Sequence, residues 1–140
     1  MMSSPTQSRV LRYMLGFIGV VQLFLGLVFI FLPMQFANLV GLSSTPPWAL
    51  WMFAMFGARA LGFAYGMFVA MRDPARHSAW IRAMIVVQAI DWIDTMYFLM
   101  NGSVTLMQVT TAAFLPIIFI AVLVGMYPRN RNNNTISQQE

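Results

Sequence analysis

The chain has 140 residues, of which 59% are apolar and only 9% charged, and its mean hydropathy is +0.70. Water-soluble domains carry about 25% charged residues, so an ordinary soluble domain is excluded and the bilayer becomes the solvent to reason with. With a formal charge of +4, no cysteine and one histidine, disulfides, thiolate catalysis, Cys-bound zinc or iron–sulfur centres and multi-histidine metal sites are also excluded; no cofactor and no metal is expected.

Residues 1–8 have little to bury and read as a disordered N-terminus. A first apolar run, 13–32, follows Arg9 and Arg12 and stops at Pro33, whose missing N–H cannot continue a helix. A signal peptide starts in the same way. This run, however, exceeds a hydrophobic region of about 7–15 residues and no small-x-small cleavage site follows it, so a retained span is expected. The second run, 48–71, begins after Pro46-Pro47 and ends at Arg72-Asp73-Pro74. The third, 79–100, ends at Asn101-Gly102, a turn signal that leaves a short link into the fourth, 104–127, which Pro128 closes. The tail 129–140, rich in Asn and Gln, reads as disordered. Crossing the hydrocarbon takes about 20 residues per helix. Residues 9–128 are therefore expected to form one all-α domain, an integral membrane antiparallel four-helix bundle.

Orientation follows from the arginines, since the chain has no lysine. Arg9 and Arg12, then Arg72, Arg76 and Arg82, then Arg129 and Arg131 fall on one side, whereas links 33–47 and 101–103 carry no charge. Cytoplasmic loops hold the excess of basic residues, so both termini are expected in the cytoplasm. Because the basic groups bracket apolar runs instead of covering a wet face, no nucleic-acid partner is expected. Trp48, Trp51, Trp80, Tyr13 and Tyr127 lie near span ends, where amphipathic rings prefer the headgroup layer. Arg72, Arg76, His77 and Arg82 read as a cytoplasmic basic rim that attracts anionic lipid at about 1 kcal/mol per arginine.

The informative residues are the polar ones inside the spans. Arg59 and Asp91 each lie twelve residues from the basic end of their runs, about 18 Å at 1.5 Å per residue, and so share one depth near the bilayer centre. An unpaired charge there costs about 3 kcal/mol on insertion scales, so the two are expected to turn inward and meet. Asp94, three residues on from Asp91, is expected to reach the same guanidinium, and the two acids would then titrate as a unit. Gln22 and Gln88 are expected to join this network, with Thr95, Thr105, Gln108 and Thr111 adding to its outer part. Such a network also holds a bundle in register with no chemistry at all. Ala54, Ala58, Gly62, Gly66 and Ala70 recur at i+4 and are expected to let a neighbouring helix approach closely, within the monomer in preference to a dimer seam. Pro116 is expected to bend the fourth span and free the carbonyl of Ala112.

The sequence contains no P-loop, dinucleotide fingerprint, H-E-x-x-H or nucleophile elbow, and an enzyme is not expected, although a membrane lipid or quinone enzyme is not excluded. The order of features, with Gly57-Ala58-Arg59-Ala60-Leu61-Gly62 in the second span and Arg72-Asp73-Pro74 in the next link, resembles the DoxX-like group of small bacterial four-helix membrane proteins. That resemblance implies an inner-membrane four-helix bundle, in some members an accessory subunit beside a redox enzyme, with a structural Arg59. The expected function is that of a non-catalytic multi-pass protein of the cell membrane, an accessory or assembly partner or a binder of a lipid-like molecule. Its expected partners are membrane lipid and another membrane protein or a second copy. The rival expectation is a small proton-coupled transporter or channel that uses the intramembrane aspartates.

Overall fold

A computed structural model describes residues 5–42 and 44–127. The first four residues and the polar tail 129–140 lie outside the described residues. Five helices and no strand are present among them: α1 Pro5–Phe31, α2 Pro33–Leu39, α3 Pro47–Arg72, α4 Ser78–Met100 and α5 Leu106–Gly125. Four of these, as Arg9–Phe31, Pro47–Arg72, Ser78–Met100 and Leu106–Gly125, are long and apolar enough to cross a membrane. Large apolar side chains such as Phe17, Phe24, Met55, Ile93 and Ile118 are exposed along all four. In water this would be an aggregation surface; in a bilayer it is a lipid face, and the chain is a multi-pass membrane protein.

The long helices fall close to the expected runs, with two differences. α1 already covers Pro5, the first described residue, so residues 5–8 are helical and not part of a disordered terminus. α2 occupies part of what reads as a plain link. Its signals are local: Pro33 at the first helical position and Gly41 just past the end. Gly41 takes φ +79° while its N–H donates to the Asn38 carbonyl and that of Leu42 to Ala37, the paired bonds that close a helix through a left-handed residue. Gly102, at φ +76°, ends α4 in the same way, with Gly102 N–H bonded to Leu99 and Ser103 N–H to Phe98.

Packing is uneven along the membrane normal. α1 lies chiefly against α3 and α4 against α5, whereas the α1–α5 and α3–α4 seams are sparse. Along the tight pair, Gly16 faces Met71, Gly19 faces Phe68 and Gly26 faces Leu61, so residue numbers rise on one helix as they fall on the other. The close approach is at Gly26 and Gly57: a Cβ on Gly57 would come within 2.8 Å of the Gly26 carbonyl oxygen, and one on Gly26 within 3.0 Å of that of Gly57.

This corrects the expected small-residue stripe. Gly57, Ala60, Ala64, Gly66 and Ala70 are buried and Ala54 is half-buried, but Ala58 and Gly62 are exposed and nothing lies within 4 Å of a Cβ on Gly62. Gly66 takes the Trp80 indole in the place of a side chain. Trp80 is thus a packing residue and not a headgroup anchor, unlike the exposed Tyr13, Trp48 and Trp51. Tyr127 likewise packs against the core.

The dense core sits at the arginine-bearing end. Leu11, Leu15, Ile18, Met67, Ala70, Ile81, Met84, Phe119 and Leu123 form it, drawn from the first half of α1, the second half of α3, the first half of α4 and the second half of α5. The opposite halves enclose no comparable core. They surround a cleft.

Candidate functional site

The ion pair forms. Nη2 of Arg59 donates to both carboxylate oxygens of Asp91, at 3.0 and 2.9 Å. Each partner is thirteen residues from the link joining α3 to α4, which puts the pair about 20 Å in from the basic end. The guanidinium also lies over the Phe56 ring, 5.3 Å from its centroid, an arrangement that attracts a cation to the negative ring face. The two side chains are 46% and 39% exposed, so they are not the fully interior pair expected. The α3–α4 seam where they meet is too sparsely packed to cover them.

Asp94 does not join them. It is exposed and makes no ion pair among the described residues, so the expected two-acid site reduces to one acid and one base. Three residues leave Asp94 about 60° round the helix from Asp91, and there it is exposed. Thr95 is spent on its own helix, its hydroxyl donating to the Asp91 carbonyl at 2.7 Å, and Thr105 precedes α5 as its N-cap.

The remaining network residues converge on one cleft of about 450 Å³, walled by all five helices. Arg59, Asp91, Gln22, Gln88, Gln108 and Thr111 supply its polar lining, and Val21, Leu25, Phe29, Phe36, Phe63, Leu115 and Phe119 are among the apolar ones. Gln88 is 7% exposed and its amide has no hydrogen-bond partner among the described residues. Gln22 reaches only the Met84 thioether, 4.0 Å away, a weak acceptor. Gln108 has a second duty: its Oε1 accepts the Thr105 N–H at 2.8 Å, half of the capping box that starts α5.

On the lipid side of the sparse α1–α5 seam lies a second, almost wholly apolar hollow of about 830 Å³, formed by α1, α2 and α5. It shares Val21, Leu25, Phe36, Leu39, Thr111 and Leu115 with the cleft. Side chains, with no intervening helix, separate the two. Sequence reasoning missed the α2 contribution, Phe36 and Leu39, because α2 itself was read as a link. Phe36 is fixed there by edge-on stacking with Phe29 and Phe53, at centroid distances of 4.8 and 6.0 Å.

Helical geometry in α5 breaks at Val109 (φ −116°, ψ 17°), on the cleft wall, and not at Pro116 as expected. The break falls where the capped first turn meets the rest of the helix. Pro116 is buried within α5. Near it, the Trp92 indole N–H donates to the Ala113 carbonyl at 3.0 Å, one residue from the carbonyl expected to be freed. A proline loosens the backbone bonding of the preceding turn, and a neighbouring helix then supplies a donor. An indole donor midway along α4 was the signal available for this contact.

The basic rim stands apart from the cleft. Arg72, Arg76 and Arg82 are exposed and His77 is half-buried, with no ion pair to any of them among the described residues. Asp73 turns to the backbone, accepting the Arg76 N–H at 3.2 Å. No group of His, Cys, Asp and Glu able to hold a metal occurs among the described residues. No protein-family model, curated protein or solved structure matches the chain.

Proposed function

We propose that this chain is a non-catalytic membrane protein that takes a lipid-like molecule from the bilayer into the cleft between its helices. The observation that carries this reading is the shared wall between an apolar groove on the lipid side and a cleft with polar groups at mid-bilayer depth. Ligand sites in membrane and soluble proteins alike are mostly apolar hollows of about 300–1,000 Å³ with a few convergent polar groups. An acyl chain suits the groove, and a polar head suits the amides of Gln22 and Gln88. The dense core at the arginine end blocks the far side of the cleft, and Asp94 lines neither hollow. Both features favour a binder over the rival proton-coupled transporter. In this reading the four spans run antiparallel with both termini in the cytoplasm of a bacterial cell, as the arginine placement suggests, and the protein serves as an accessory to other membrane components in the manner of the DoxX-like layout.

Native mass spectrometry of the chain purified in mild detergent tests the proposal. A lipid is expected to remain bound at about one per chain. Leu25→Trp, which fills the shared wall, is expected to remove it while the thermal melt holds. A wild-type chain that carries no lipid and takes up none on addition would end the proposal.

A further inference from the structure

We infer that the cleft selects an uncharged amphiphile, one whose head carries hydroxyl or ester groups, and rejects anionic phospholipid. The inference rests on the lipid-binding reading above and deepens it. Among the described residues the only charges lining the cleft are Arg59 and Asp91, which pair with each other at 2.9–3.0 Å. Their sum is zero. A phosphate drawn into this space would lose its water and meet the Asp91 carboxylate beside a guanidinium whose charge that carboxylate already balances, and a desolvated charge without a net counter-charge is strongly unfavourable.

The neutral groups in the cleft ask for the opposite kind of head. Gln88 as a residue is 7% exposed and its amide makes no hydrogen bond among the described residues, and that of Gln22 meets a thioether alone. Each amide offers two N–H donors and a carbonyl acceptor. A hydroxyl answers both kinds of group and an ester carbonyl answers the donors. No fully buried side-chain N or O lacks a partner among the described residues, so the two amides open on the cleft wall, and a ligand's oxygens seated there would satisfy them. Gln88 lies one helical turn from Asp91, nearer the arginine-bearing end of α4, so the head would rest beneath the ion pair, with its chain leaving past Leu25 and Leu115 into the groove.

The test is competition between dioleoylglycerol and dioleoyl phosphatidic acid, which share acyl chains and differ by the phosphate. Both are added in equal amounts to the delipidated full-length chain in detergent, and occupancy is read by native mass spectrometry. Wild type is expected to favour dioleoylglycerol by about tenfold or more, one hydrogen-bonded head against one unpaired charge. Gln88→Leu is expected to lower dioleoylglycerol occupancy about tenfold with an unchanged melt. Asp91→Asn, by releasing the guanidinium, is expected to raise phosphatidic acid occupancy; if it does not fold, Gln88→Leu carries the test. Equal or stronger binding of phosphatidic acid by wild type, or an unaltered Gln88→Leu, overturns the neutral-head inference and leaves the lipid-binding reading standing. Binding of neither lipid overturns that reading itself.

Discussion

The approach of the α1 and α3 backbones at Gly26 and Gly57 offers a direct check on the architecture. In Gly57→Ala the new Cβ would stand 2.8 Å from the Gly26 carbonyl oxygen, 2.7 Å from Cγ1 of Ile30 and 3.1 Å from Cβ of Phe29. The Ile30 branch can rotate. The Gly26 carbonyl belongs to the α1 backbone, so α1 has to move away along the seam that holds the bundle together. Overpacking of this kind costs about 1–3 kcal/mol, while replacing glycine by alanine in a helix returns about 1 kcal/mol. Gly62→Ala in the same helix is the matched control, because nothing lies within 4 Å of its Cβ. The helix-propensity gain is common to both variants and cancels between them. Gly57→Ala is therefore expected to be less stable than Gly62→Ala by about 1–3 kcal/mol, a factor of about 5 to 150 in the unfolding equilibrium. Unfolding in mixed detergent micelles, followed by tryptophan fluorescence, measures the difference. Equal stabilities, or a weaker Gly62→Ala, would refute the reasoning and return the packed face to the Ala58 and Gly62 side of α3.

Three further outcomes are expected. Asp91→Asn leaves Arg59 uncompensated within a span and should lower stability by up to about 3 kcal/mol, while Arg59→Gln combined with Asp91→Asn should recover much of that loss; a double variant no better than the single one would show that the pair contributes no coupling. Asp94→Asn removes a charge that touches no cation, so it should leave detergent stability unchanged or improve it. A loss matching that of Asp91→Asn would mean that the two acids act together after all. Trp92→Phe deletes the donor to the Ala113 carbonyl and should cost about 0.5–1 kcal/mol, checked by the same micelle titration. An unchanged midpoint would show that the carbonyl near Pro116 needs no outside donor.

Much of the architecture and part of the cleft can be read from local patterns. Runs of apolar residues, Pro33, Pro46-Pro47 and Asn101-Gly102 set out the four long helices, because each acts on its own few residues of backbone. Pro33 and Gly41 bound α2 as well, but a seven-residue helix is too short for hydropathy to pick out, and the stretch reads as a link. Equal depth of Arg59 and Asp91 follows from counting along two helices joined by a short link, and their meeting follows from the cost of leaving either charge alone in hydrocarbon.

Helix faces were another matter. In water an apolar stripe points inward and so identifies the buried side, but lipid is as apolar as the core, and a membrane helix carries no such contrast. Sequence spacing therefore favoured Ala58 and Gly62, whereas the fold sets Gly57 against α1 and buries Ala60 and Ala64. For the same reason Asp94 could be placed near Arg59 by helical spacing and yet stay exposed and unpaired among the described residues, since the rotation of α4 about its axis is set by contacts such as those of Trp80 with Gly66 and Trp92 with Ala113. The cleft depends on that rotation in every helix at once. Its polar residues were nameable one by one from the chain, but their convergence on a single hollow, closed at the arginine end, arises from contacts between residues far apart in sequence.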